Sequence, residues 1–106
     1  MVNYNFTYEI IIKVTNTNKI DLNDVKKKMF ALFYKSPEPY LKLFKMSEDE
    51  KELTITIPSG AVMVMNTGGD PETKITMLSN KILEATPGAQ LECKFTMNCK
   101  KESPYV

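Results

Sequence analysis

Polar and apolar residues alternate along the first part of the chain, between positions 4 and 15. One phase of this alternation is apolar and contains Tyr4, Phe6, Tyr8, Ile10, Ile12 and Val14. The other phase is almost entirely polar. Because successive side chains of an extended chain point to opposite faces, this period of two predicts a long strand. Its apolar phase, including the three aromatic residues, is expected to face the core.

A helical period follows the first strand. Apolar residues recur at spacings of three and four on one stripe, formed by Leu22, Val25, Met29, Leu32 and Phe33. Asp21 is predicted to cap the first turn of this helix. We expect Pro37 and Pro39 to end it, since proline cannot continue the hydrogen-bond ladder and disfavours a helical conformation before it.

Two short strands are predicted at 40–46 and 51–57, on either side of a polar turn. The second strand alternates Leu53, Ile55 and Ile57 with threonines. The turn is acidic, with Glu48, Asp49 and Glu50 followed by Glu52. We expect these carboxylates to be solvated and to titrate at ordinary values. Calcium binding is not expected, because the spacing and central glycine of an EF-hand loop are missing.

A second helix is predicted to begin with Asp70 as its cap and Pro71 in its first position. Its buried stripe consists of Ile75, Leu78, Ile82 and Ala85, and Pro87 with Gly88 ends it. The last strand alternates again. Its inward phase is predicted to be Leu91, Cys93, Phe95, Met97 and Cys99, and its outward phase Glu92, Lys94, Thr96, Asn98 and Lys100.

The order strand, helix, strand, strand, helix, strand predicts a single α+β domain over residues 1–106. It is the order of the ferredoxin-like split β-α-β fold, in which two helices cover one face of an antiparallel sheet. The first and third strands are then central, and the second and fourth lie at the edges. The open face would carry mostly threonine and charged residues, among them Thr7, Glu9, Thr54, Thr56, Lys94 and Thr96.

The apolar segment 61–65, with the sequence AVMVM, has two interpretations. It is either a short fifth strand or core segment, or an adaptable apolar surface for a partner, formed by Val62, Met63, Val64 and Met65. The glycines that follow it, Gly68 and Gly69, precede the cap of the second helix. A phosphate site there is disfavoured, because Asp70 occupies backbone amides and Glu72 adds a second negative charge.

Composition excludes several chemistries. The chain has a formal net charge of +1, contains no His and no Trp, and all 14 of its cationic side chains are Lys. Arg would be needed for bidentate phosphate recognition, and His is the usual general acid, general base and metal ligand near neutral pH. We therefore expect no enzymatic activity, no cofactor and no metal. The lysines at 26–28 are interpreted as a solvated face.

The two cysteines, Cys93 and Cys99, are six residues apart on one predicted strand. An extended chain separates them by roughly 20 Å, which is too far for a disulfide. We interpret both as core residues in a reducing compartment. The first residues do not resemble a signal peptide, and no apolar run reaches the roughly 20 residues of a membrane span. The expected location is the cytoplasm.

The function predicted from these features is binding of a protein partner, or self-association, through a sheet edge or an apolar surface. An adaptor, an assembly subunit and a phage or mobile-element inhibitor are the roles considered. One alternative is a regulatory domain that senses a small ligand as a dimer. A second alternative is weak RNA or phosphate binding, which we disfavour because the predicted open face offers no aromatic ring for base stacking.

Overall fold

The computed structural model describes residues 3–33, 43–58, 61, 65 and 70–102, and only the backbone of residues 3–8 and 97–102. The elements in these residues follow the predicted order. They are β1 (Asn3–Thr15), α1 (Leu22–Phe30), β2 (Phe44–Met46), β3 (Glu52–Pro58), α2 (Pro71–Ala85) and β4 (Gln90–Glu102). Neither described helix is long and apolar enough to cross a membrane.

The strands form one antiparallel sheet in the order β2-β3-β1-β4. This order confirms the ferredoxin-like arrangement, with β1 and β3 central and β2 and β4 at the edges. β1 and β4 pair over their whole length, from Asn3 opposite Glu102 to Thr15 opposite Gln90. β3 pairs with β1 only from Glu9 onward. The part of β1 before Glu9 therefore has β4 as its single neighbour among the described strands.

The core lies between one face of this sheet and the two helices. The two central strands bury the predicted apolar phase, which comprises Ile10, Ile12 and Val14 of β1 and Leu53, Ile55 and Ile57 of β3. The helices contribute Val25 and Met29 from α1 and Leu78 and Ile82 from α2. Each fully buried aliphatic side chain of this kind stabilises the fold by roughly 1.5–3 kcal/mol.

Both helices begin at the predicted caps. The Oδ1 atom of Asp21 accepts hydrogen bonds from the backbone amides of Asn23 and Asp24, at 3.1 and 3.2 Å. Asp70 caps α2 through the backbone amide of Thr73. After α2, Gly88 adopts a φ of +83°, a left-handed conformation that glycine tolerates without strain. This residue lies in the turn between the end of α2 at Ala85 and the start of β4 at Gln90.

Helix α1 is shorter than the sequence pattern predicts. It ends at Phe30, so Leu32 and Phe33 lie beyond it. The amide of Leu32 donates to the carbonyl of Met29 (2.9 Å), and the amide of Phe33 donates to that of Phe30 (3.0 Å). These bonds span three residues where an α-helix spans four, so the chain tightens into a 3₁₀-type turn. The prediction that the helix continues to the prolines is wrong.

Candidate functional site

The side of β4 that faces the helices is only partly covered. The alternation predicts Cys93 and Phe95 as core residues, but Cys93 is exposed and 36% of Phe95 is accessible. The Oγ atom of Ser79, on α2, lies 3.4 Å from the Sγ atom of Cys93. The interpretation of Cys93 as a core residue is therefore wrong. Met97 and Cys99 lie outside the residues whose side chains are described.

The register of the sheet shows where the core ends. Phe95 lies opposite Ile10, and Cys93 lies opposite Ile12. Residues that face each other across two strands point to the same side of the sheet. Ile10 and Ile12 have no accessible surface. The boundary of the covered region therefore runs between β1 and β4, and the apolar phase of β4 lies at its margin.

An open groove lies along this margin, between the first turns of α2 and the side chain of Phe95. Its volume is about 400 Å³. The residues that line it are Asp70, Pro71, Glu72, Ile75, Thr76 and Phe95. Three of them provide apolar surface and two provide carboxylates. We call this site the α2–β4 groove.

The start of α2 keeps one of these carboxylates ionised. The Oδ1 atom of Asp70 accepts hydrogen bonds from the backbone amide and the hydroxyl of Thr73, both at 2.9 Å. These two bonds hold the pKa of the Asp70 carboxyl below its usual range. The exposed Glu72 lies in the same turn. The groove thus combines negative charge with the apolar surface of Pro71 and Phe95.

The acidic turn between β2 and β3 is ordered by its own hydrogen bonds. Asp49 Oδ1 accepts from the Ser47 hydroxyl (2.6 Å) and from the Lys51 amide (3.0 Å), and these bonds lower the pKa of Asp49. The expectation that every carboxylate of this turn titrates at an ordinary value is wrong at Asp49. The carbonyl of Glu50 also accepts from the amide of Ile20 (2.7 Å), which ties the turn to the loop before α1.

These carboxylates do not gather into a metal site in the described part of the chain, where no three His, Cys, Asp or Glu residues are placed to hold an ion. Glu50 adopts a φ of 59° and forms an ion pair with Lys19, with Nζ and Oε2 3.4 Å apart. Its carbonyl and side chain both contact the loop before α1. We therefore assign the turn to the scaffold.

A small, partly open cavity of about 20 Å³ lies among α1, β2 and β3. Phe30 packs edge-on against Phe33 and Phe44 beside it, with ring centroids 6.4 and 6.2 Å apart. The Nζ atom of Lys26 lies 5.3 Å from the centroid of the Phe44 ring. A space of this size holds about one water molecule, so we interpret it as a packing gap. At Lys26, the predicted solvated lysine face is in fact packed over a ring.

The segment 61–65 contacts the core at both of its described residues. Ala61 is buried, and Met65 is 4% exposed. Met65 forms an isolated antiparallel bridge with Phe33, outside the four-stranded sheet. Burial favours the core interpretation at Met65. The remaining predicted partner-binding residues, Val62, Met63 and Val64, lie outside the described residues, as do Gly68 and Gly69, and their roles stay predictions.

The sheet face away from the helices carries threonine and charged side chains. Its described members are Glu9, Ile11, Lys13, Thr54, Thr56, Glu92, Lys94 and Thr96. Ile11 lies between Thr56 and Lys94 in the register and is half-buried. RNA-binding domains of this topology stack bases on aromatic rings of this face. The side chains described on it include no such ring.

Periodicity alone assigns Ile75 and Phe95 to the core and gives no hint of a groove. A signal was present in the element lengths, however. β4 has 13 residues and α2 has 15, which correspond to about 43 Å of strand and about 22 Å of helix. A helix of this length cannot cover the whole apolar phase of such a strand.

Comparisons of the chain with protein-family models, curated protein sequences and solved structures give no match.

Proposed function

We propose that this chain is a non-catalytic protein-binding module and that the α2–β4 groove receives a segment of the partner. Phe95 is the observation that carries this proposal. It is an aromatic side chain, 36% exposed, on the wall of an open groove of about 400 Å³. Aromatic residues in such positions commonly dominate the energy of protein–protein binding. An adaptor, an assembly subunit and an inhibitor carried by a mobile element would all use a surface of this kind.

The lining of the groove indicates the chemistry of the partner segment. Pro71, Ile75 and Phe95 offer apolar surface, while Asp70 and Glu72 offer negative charge. A segment with a large apolar side chain beside Lys or Arg complements both. Hydrogen bonds from Thr73 hold the pKa of Asp70 below its usual range, so this carboxylate stays charged in mild acid as well as at neutral pH.

A non-catalytic role is supported by the sequence, which lacks the imidazole and guanidinium groups of most acid–base and phosphoryl-transfer sites. The cytoplasm remains our proposed location. The thiol of Cys93 is free and exposed, and an unpaired surface thiol is ordinary in a reducing compartment.

Selection from a randomised peptide library against the immobilised chain tests this function. We expect the enriched peptides to share an apolar residue flanked by Lys or Arg. Their binding should be lost in Phe95→Asp and kept in Leu83→Asp. Leu83 is a matched control, because it is an apolar residue with 37% exposure on the opposite end of α2 from the groove. Enrichment of acidic peptides, or binding that tolerates Phe95→Asp, would refute the proposal.

A second candidate function is a small-ligand sensor. The volume of the groove, about 400 Å³, lies within the range of about 300–1,000 Å³ that is usual for small-molecule sites. A ligand at 100 times its dissociation constant would stabilise the folded chain by about 2.7 kcal/mol. A thermal-shift screen with metabolites would reveal this. Stabilisation that disappears in Phe95→Asp would favour the sensor over the peptide-binding module.

A further inference from the structure

Among the described residues, the first part of β1 has a neighbouring strand on one side only. β1 and β4 remain paired as far as Asn3 and Glu102, but β3 ends at Pro58, opposite Glu9. Residues 3–8 of β1 therefore have a strand on one side and none on the other in the described part of the molecule. The last residue of β3 is Pro58, which has no amide hydrogen to donate to a further strand.

The other two edges of the sheet carry the features that usually prevent unwanted strand pairing. β2 is short, with three residues, and its central residue is Lys45. β4 is long, but charged residues are spread along it, namely Glu92, Lys94, Lys100, Lys101 and Glu102. Short edge strands and charged residues, lysine above all, protect natural sheets from adding further strands.

Residues 3–8 lack such protection. Their sequence, NYNFTY, contains no charge and no proline. Tyr, Phe and Thr also have high preferences for extended structure. A neutral strand that has no neighbour on one side among the described residues is a template for the addition of another strand.

We propose that two copies of this chain associate through residues 3–8 of β1, as antiparallel strands related by a two-fold axis. A second copy fits this edge because antiparallel self-pairing is symmetric and brings the same neutral segment opposite itself. No like charges then meet across the interface. The incoming strand pairs with the edge of β1 that faces away from β4, so the dimer has the strand order β4-β1-β1-β4 at its centre.

Sedimentation equilibrium of the full chain up to about 1 mM tests this association, since that concentration half-forms a dimer of millimolar affinity. Intermolecular nuclear Overhauser effects in a mixture of labelled and unlabelled chains then locate the contact. We expect a dimer with backbone contacts between residues 3–8 of the two copies. A chain that stays monomeric throughout, or a dimer with contacts elsewhere, would overturn the proposal.

Matched variants distinguish a contact at the edge of β1 from a general effect on the paired strands β1 and β4. Thr7 lies opposite Asn98 in the register, so Thr7→Lys and Asn98→Lys add the same charge to the same rung. Thr7→Lys should weaken the dimer about tenfold, because two new lysines come close together across the axis. Asn98→Lys should change the affinity by about twofold at most, because its strand lies one position farther from the axis.

The dimer is independent of the α2–β4 groove. Phe95→Asp should leave self-association unchanged, and Thr7→Lys should leave peptide binding unchanged. A variant that abolishes both would indicate that the two surfaces are one. If Thr7→Lys disturbs the pairing of β1 with β4, the intermolecular contacts observed in the wild-type mixture still show whether residues 3–8 form the dimer interface.

Discussion

Ile10 and Phe95 lie opposite each other on adjacent strands, yet Ile10 has no accessible surface and Phe95 retains 36% of its own. The part of the sheet that the helices cover therefore ends between these two paired residues, one on β1 and one on β4. On the far side of that boundary, α2 and β4 leave an apolar groove that the carboxyl groups of Asp70 and Glu72 also line. The proposed function depends on this change of environment between two neighbouring residues.

The first prediction concerns the stability contributed by these two residues. Ile10→Ala should lower the free energy of unfolding by about 2–5 kcal/mol, because it removes buried methyl groups and leaves a cavity. Phe95→Ala should lower it by only about 1–2 kcal/mol, since 36% of the side chain is already exposed to solvent. Urea denaturation measures both values. Equal losses would mean that Phe95 belongs to the core.

The second prediction distinguishes the two interpretations of segment 61–65 at its last residue. Met65→Asp should lower the free energy of unfolding by more than about 3 kcal/mol, because it places a charge at a buried position. Met65→Leu, which nearly conserves volume, should cost less than about 1.5 kcal/mol. Thermal unfolding checks both variants. A stable Met65→Asp protein would favour the contact-surface interpretation instead.

The third prediction is a loss of stability in acid. Hydrogen bonds lower the pKa values of Asp49 and Asp70 in the folded chain below the ordinary value of 3.8. The unfolded chain then binds more protons as the pH falls, so stability is complete above the unfolded pKa and decreases as the pH falls through the folded pKa. We expect unfolding free energies to decline from about pH 4.5 downward. Asp49→Asn should reduce this decline.

The fourth prediction separates the capping role of Asp70 from its charge. Asp70→Ala removes the acceptor for the Thr73 amide and should cost about 1 kcal/mol of stability. Asp70→Asn keeps an oxygen acceptor and should cost less. Both variants should weaken binding of Lys- or Arg-containing peptides, as calorimetric titration would show. Unchanged peptide affinity in Asp70→Asn would mean that charge at the groove is unimportant.

Much of the fold is predictable from local patterns. Alternation identifies the buried phase of β1 and β3, and side-chain acceptors at Asp21 and Asp70 mark both helix starts. These signals are local, since each depends on residues within a few positions along the chain. The strand order then follows from the small number of ways in which two helices can cover such a sheet.

The groove could not be predicted in this way. Phe95 has the same alternation as Ile10, and periodicity reports the face of a residue but not the extent of helix above it. The end of α1 at Phe30 is not predictable from periodicity for a related reason, because the apolar stripe of this helix continues into the turn that follows. The low pKa of Asp49 depends on the Ser47 hydroxyl, whose orientation no sequence pattern specifies.

The affinity of one selected peptide for matched variants tests the central claim most directly. Calorimetric titration should compare the wild type with Phe95→Asp and Met77→Asp, because Phe95 and Met77 have nearly equal exposure, at 36% and 37%. If the α2–β4 groove is the binding site, Phe95→Asp should weaken binding by at least about 2 kcal/mol, the size of a hot-spot loss. Met77→Asp should bind like the wild type. Equal losses in both variants, or none in either, would contradict the account.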